Sequence, residues 1–133
     1  MSKRALSTLV GMLLVITGSL WAHHSFTAEF DQNKPIQLKG KVTEMQWSNP
    51  HAWIYLDVEQ PDGSVVNWAL ETGAANALIR RGWRKKDLQP GTILLVEGWQ
   101  ARNGTPTGNV RSITFENGQR LFAGSSNPSA KEK

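Results

Sequence analysis

The chain has no cysteine. Its fold must therefore hold without disulfides, and a lipid-anchored cysteine is excluded. Catalytic signatures are missing too: no Gly-x-Ser-x-Gly, no phosphate loop, no dinucleotide fingerprint and no internal repeat. No nucleophile–base arrangement stands out; Asp57 and Glu59 share a strand, but a carboxylate pair needs a cleft that sequence does not show. Histidine is scarce, with only His23, His24 and His51. A long hydrophobic run is also absent. Leu6 to Leu20 is mostly apolar but is interrupted by Thr8, Gly11, Thr17, Gly18 and Ser19, and a spanning helix needs about 20 apolar residues.

That interrupted run has a different meaning. Ser2-Lys3-Arg4 is a basic start, the apolar stretch follows, and Ser19-Leu20-Trp21-Ala22 closes it. This is the layout of a secretory signal peptide over residues 1–22, with cleavage after Ala22. Leu20 is larger than the small residue usually preferred three positions before the cut. The expectation is a periplasmic or secreted protein with no stable membrane span after processing. Cleavage would remove Lys3 and Arg4 and no acid, leaving 13 basic against 11 acidic side chains, net +2 instead of +4. A basic nucleic-acid footprint is then weak, and nucleic acid is not an expected partner. Arg80, Arg81, Arg84, Lys85 and Lys86 form the one basic cluster, which reads as a solvated face near a helix C-terminus.

The mature chain would open on an extended segment, residues 23–35, with turn chemistry at Gln32-Asn33-Lys34-Pro35. Ile36, Leu38, Gly40 and Val42 alternate with polar residues, and the apolar parity then slips to Met45 and Trp47. Such a slip predicts a first strand bent by a β-bulge, with Gly40 at a close backbone approach. Ser48-Asn49-Pro50 turns into a second strand, Ala52 to Glu59. Asp62-Gly63 predicts a hairpin to a third strand, Val65 to Glu71. Residues 74–82 carry Ala74, Ala77 and Leu78 on one helical face, with Thr72 as N-cap, Gly82 as stop and Trp83 packing back. Thr92 to Trp99 and Val110 to Phe115 are the fourth and fifth strands, followed by a short Leu121-Phe122 return.

Three strands, a short helix and two more strands predict a mainly β fold: a small five-stranded OB-like barrel over residues 36–122, with one short helix between strands 3 and 4. Residues 123–133 have no apolar pattern and read as a disordered tail.

Several short motifs share one pattern: His23-His24-Ser25-Phe26, Leu38-Lys39-Gly40-Lys41-Val42, Asn49-Pro50-His51-Ala52-Trp53, Arg80-Arg81-Gly82-Trp83-Arg84, Pro90-Gly91 and Val96-Glu97-Gly98. Over roughly residues 22–126 the chain resembles a family of small exported bacterial proteins of unknown function. The resemblance implies export and a compact β domain, and no established activity.

Two candidate constellations remain. In the second strand Ala52, Ile54, Leu56 and Val58 share the core face, so His51, Trp53, Tyr55 and Asp57 face outward. Ligands of such barrels lie across strands two and three, between the strand 1–2 and strand 4–5 loops. Here those loops are Trp47 to His51 and Arg102 to Asn109. His51, Trp53, Tyr55, Asn49 and Trp47 are therefore the candidate ligand-binding residues. The competing reading has Met45 and Trp47 covering Trp53 in a second small core. The other constellation is metal-ligating: His23, His24 and His51. A processed His23 would chelate a metal through its amine and ring, and His51 would supply a third nitrogen, a donor set suited to copper. Function thus reads as an exported, non-enzymatic binding module for a small ligand or a periplasmic protein partner. A copper-binding protein is the alternative, and a protein–protein adaptor that exposes a strand edge is a third class.

Overall fold

The structure, a computed structural model, describes residues 26–124. The expected signal segment, His23, His24 and nearly all of the expected tail lie outside the described residues. The organising element is β1 (Phe30–Gln46), seventeen residues long. Its length lets it serve two neighbours. Residues 30–41 pair with β4 (Ile93–Ala101) and residues 41–46 pair with β2 (Trp53–Glu59). Lys41 stands at the junction, opposite both Asp57 and Ile93. A strand bends this sharply only with help. The register shifts between Val42 and Glu44, which is the bulge implied by the parity slip. At Gly40 a Cβ would lie 2.4 Å from the Asp57 carbonyl oxygen, so only glycine lets the two backbones approach.

β1 begins earlier than expected. Asp31 to Pro35 belongs to the strand rather than to a turn before it. The turn chemistry is nevertheless used: the Asn33 N–H donates to Asp31 Oδ1 at 3.0 Å, inside a register shift between Phe30, opposite Ala101, and Pro35, opposite Trp99. The polar residues bulge out of the ladder without ending it.

β2 and β3 (Val65–Glu71) form the Asp-Gly hairpin in continuous register, from Glu59 opposite Val65 to Trp53 opposite Glu71. β5 (Thr107–Phe115) pairs antiparallel with β4 and, through residues 107–109, parallel with the end of β3. That parallel pairing closes the five strands into an OB-like ring, and β6 (Arg120–Phe122) adds to β5. β5 starts three residues before the apolar run because Thr107, Gly108 and Asn109 pair with β3 by backbone. Composition marks those residues as loop; only the closure of the ring makes them strand.

The one short α-helix, α1 (Ala75–Arg80), lies between β3 and β4 as expected. Its start differs. Thr72 is not its cap: Ala74 holds the N-cap position without a side-chain bond, and the Thr72 hydroxyl is 3.1 Å from the Ala52 carbonyl oxygen instead. The loop between β1 and β2 does the capping. The Ala75 N–H donates to Ser48 O, and the Asn76 N–H reaches Asn49 Oδ1 at 3.4 Å. The helix stops as glycine predicts. Gly82 takes φ +93°, its N–H donates to Ile79 O, and the Trp83 N–H donates to Leu78 O, the paired bonds of a Schellman ending. Leu78 and Trp83 enter the main core together, with Ile54, Leu56, Leu70 and Val96, and the Trp83 indole N–H donates to Phe122 O at 3.0 Å. No helix among the described residues is long and apolar enough to cross a membrane.

Candidate functional site

Register places one row of residues on the outside of the ring. Trp53 is opposite Glu71, Glu71 is beside Asn109, and Asn109 is opposite Trp99. Residues directly paired across neighbouring strands point to the same side, and the outer side of a small barrel is ordinarily wet. Here it is not: Glu71 is 6% exposed and Asn109 1%.

The beginning of the described chain accounts for the burial. Residues 26–29 form one helical turn, and Phe26 and Phe30 are buried at 1% and 3%. Phe26 stacks edge-on against Trp99 with ring centroids 5.7 Å apart, and lies 5.6 Å from Phe30. Together with Ala101 they make a small apolar cluster separate from the main core. The Arg102 backbone N–H donates to Glu29 O at 2.9 Å, and its guanidinium Nε donates to Thr27 O. The chain straps over the outer face of its own ring.

Next to the strap lies a histidine–carboxylate contact. His51 Nδ1 is 2.9 Å from Glu71 Oε1 and 3.2 Å from the Thr72 carbonyl oxygen. The exposures of the two side chains differ: 43% for His51 and 8% for Glu71. Burial pushes the Glu71 carboxyl above the usual range, His51 pulls it back, and the like charge of Glu29 adds to the rise. Burial is the largest of the three.

A cleft of about 360 Å³ opens between the strap and the β4–β5 loop. Trp53 forms one wall, Ala28 and Glu29 another, and Arg102, Asn103 and Thr105 the third. Asn103 Oδ1 accepts from the Thr105 N–H and hydroxyl, which holds the loop in shape. Among the described residues the Trp53 indole N–H and the Glu29 carboxylate have no hydrogen-bond partner. A larger groove of about 770 Å³ lies along Lys39, Lys41, Asp57 and Glu59, but no aromatic side chain lines it.

The family model of a family of unknown function, DUF6152, matches residues 12–111. The chain belongs to DUF6152. No curated protein and no solved structure matches it. The matched span runs through the strap, His51, Trp53, Glu71 and the β4–β5 loop, so both the histidine contact and the cleft lie inside the DUF6152 region.

The five ligand-binding candidates divide. Trp53 lines the cleft and His51 meets Glu71 beside it. Tyr55 is half-buried between Glu44 and Ala69 of the neighbouring strands and is not among the cleft-lining residues. Asn49 faces the start of α1. Trp47 packs on the main core, with the Lys85 ammonium 6.0 Å from its ring centre. Met45 also packs on that core, and the second small core is built by Phe26, Phe30 and Trp99. Of the metal candidates, only His51 is among the described residues, and no group of three or more His, Asp or Glu side chains there is arranged to hold a metal ion. In the basic cluster, Arg84 pairs with Asp87 at 2.8 Å.

Sequence reasoning passed over Glu71, Glu29 and Phe26. For Glu71 a signal existed in the hairpin. Once Asp-Gly sets Glu59 opposite Val65, counting back six residues sets Trp53 opposite Glu71.

Proposed function

We propose that this DUF6152 protein is an exported, non-enzymatic binding module whose small ligand seats in the cleft beside Trp53. The observation that carries the reading is the cleft's lining: an aromatic wall next to a carboxylate and an indole N–H that have no hydrogen-bond partner among the described residues. An aromatic face stacks on a ring at about 1–3 kcal/mol per base in nucleic-acid systems. Glu29 and Arg102 both line the cleft, so neither sign of charge dominates it and it has no basic patch to draw phosphates or nucleic acids. An uncharged, polyhydroxylated ring satisfies all these features at once. Export rests on the basic start and short apolar run of residues 1–22.

The test is titration of the processed protein with neutral oligosaccharides, read by tryptophan fluorescence and calorimetry, for wild type and Trp53→Ala. Saturable binding that Trp53→Ala weakens at least tenfold supports the reading. Equal affinity in the two proteins, or no binding by any neutral sugar, refutes it. A segment of a periplasmic partner protein is the other occupant of this class, and it would register as a complex in gel filtration.

A second reading, a copper protein using His23 and His51, is favoured by one specific observation. Phe26, three residues after His23, is anchored on the same outer face as the His51–Glu71 contact. Intact mass after native purification tests it: a mature start other than His23 removes the amine ligand and ends the chelate.

A further inference from the structure

The walls of the cleft beside Trp53 differ in how far their polar groups are already engaged. On the β4–β5 loop the engagement is internal. Asn103 Oδ1 accepts from the Thr105 N–H and hydroxyl, and Gln100 Nε2 donates to the Gly104 and Thr105 carbonyls at 3.2 Å each. Gly104 completes the turn at φ +75°, its N–H donating to Ala101 O. A loop bonded to itself in this way keeps its shape without a ligand.

The charged groups of the cleft behave differently. Glu29 and Arg102 both line it, yet they form no ion pair with each other, and the Glu29 carboxylate has no hydrogen-bond partner among the described residues. The strap explains why. The Arg102 N–H donates to Glu29 O and its Nε donates to Thr27 O, so the arginine is held by the main chain of the strap and not by its carboxylate. The terminal guanidinium nitrogens make no hydrogen bond among the described residues. Unused donors and an unused acceptor thus share one cleft with the Trp53 ring.

Unpaired charges of opposite sign select by what they refuse. An anionic ligand suits Arg102 but meets Glu29; a cationic one suits Glu29 but meets Arg102. A hydroxyl serves both, because it donates one hydrogen bond and accepts through its lone pairs. Neighbouring ring hydroxyls therefore have an acceptor in Glu29 and donors in Arg102 while the ring face lies on Trp53. Stacking there displaces water, and hydrogen bonds to charged groups strengthen as the local dielectric falls.

We infer that Glu29 and Arg102 are the specificity-determining pair of this cleft, selecting a neutral ring with neighbouring hydroxyls over acidic or amino-substituted rings of the same size. Arg102 has a second task, since the same guanidinium fastens the strap that carries Glu29. The inference rests on the cleft reading for its site; the selectivity by charge is its own.

The experiment titrates, by calorimetry on the processed protein, the neutral trisaccharide that wild type binds best and its two counterparts carrying one uronic-acid or one amino-sugar ring. Wild type should favour the neutral sugar about tenfold over each, the size of one hydrogen bond to a charged group. Glu29→Gln should shift the ratio of acidic to neutral affinity about tenfold toward the acid, and Arg102→Gln should shift the amino sugar likewise. Ratios are the readout because a loosened strap lowers all three affinities together. Glu29 reaches Arg102 through its backbone carbonyl, so Glu29→Gln leaves the strap fastened and decides the matter even if Arg102→Gln frees it. Unchanged ratios in Glu29→Gln, with binding still lost in Trp53→Ala, overturn the pair and leave the cleft reading standing. No binding by any of the sugars, or binding indifferent to Trp53→Ala, overturns both.

Discussion

Truncating Phe26 to alanine should undock the strap without unfolding the ring. Phe26 is 1% exposed, and fully burying such a side chain is worth about 1.5–3 kcal/mol. Its contacts with Phe30 and Trp99 add about 0.5–1.5 kcal/mol each. Those terms overlap, so the expected loss is about 3 kcal/mol, at the low end of the Phe→Ala range. The loss should be local, because Phe26, Phe30 and Ala101 form a cluster separate from the main core. Native-state hydrogen exchange reads it at one amide. The Arg102 N–H donates to Glu29 O and opens when the strap lifts. With each 1.4 kcal/mol worth a factor of ten, that amide should exchange about a hundredfold faster in Phe26→Ala. Amides of β4 that pair with β1 near Lys39 and Gly40 should change much less. Equal acceleration at both places would show that strap and ring open as one unit, and an unchanged Arg102 amide would show that Phe26 does not anchor the strap; either result refutes the reasoning. The same variant should lose ligand affinity, since Ala28 and Glu29 form a wall of the cleft.

Three further outcomes follow from single residues. Glu71 has a raised carboxyl pKa in the folded protein, so the folded state holds its proton more tightly than the unfolded chain. Its contribution is therefore present at low pH and lost as pH rises from about 4.3, the free glutamate value, through the raised one. Urea midpoints across that window should fall with pH in wild type relative to Glu71→Gln; the opposite trend would mean that attraction to His51 outweighs burial and the repulsion from Glu29. Gly40→Ala would place a Cβ 2.4 Å from the Asp57 carbonyl oxygen and 2.8 Å from Leu56 Cγ, and should lower stability by about 1–3 kcal/mol in thermal melts. Trp83→Phe removes the donor to Phe122 O and leaves space beside Leu78; a loss of about 2 kcal/mol or more should appear in denaturant titration, with an unchanged midpoint arguing against that bond as a core tie.

Much of the fold was legible because local chemistry and global closure agree. Asp62-Gly63 specified the β2–β3 hairpin and its register, and β3 has the bounds that alternation predicts. The parity slip after Val42 announced a bulge that the ring needs in order to bend. Gly82 and Trp83 ended α1 as their residue types require. What failed has one cause. Asp31 to Pro35 and Thr107 to Asn109 are polar or glycine-containing and carry no apolar period, yet both lie in strands. Thr107 to Asn109 pair because the distant strand β3 holds partners in front of them, and Asp31 to Lys34 are carried as a bulge between the Phe30–Ala101 and Pro35–Trp99 pairs to β4. Thr72 failed for a related reason: its hydroxyl is engaged by Ala52, across the sheet, before the helix can use it.

The site was half legible for the same reason. Alternation put His51, Trp53 and Tyr55 on one outward face, and the structure keeps His51 and Trp53 at the centre of the candidate site. Periodicity gives the direction of a side chain but not what covers it. Glu71 should be an ordinary wet carboxylate on an outer face; the strap makes it a buried one, and Phe26 and Phe30 can do this because Trp99 offers them an apolar surface that faces away from the core. That arrangement also constrains the ligand. With Phe26 and Phe30 filling the face over Trp99 of β4, the outer surface between Trp53 and β4 is narrowed to the opening beside Trp53. A long polymer lying across the sheet would have to displace the strap, at about the 3 kcal/mol derived for Phe26, whereas one ring can enter beside it. Short ligands should therefore bind Trp53 as tightly as long ones. An affinity that climbs steadily with oligosaccharide length would mean that the strap lifts on binding.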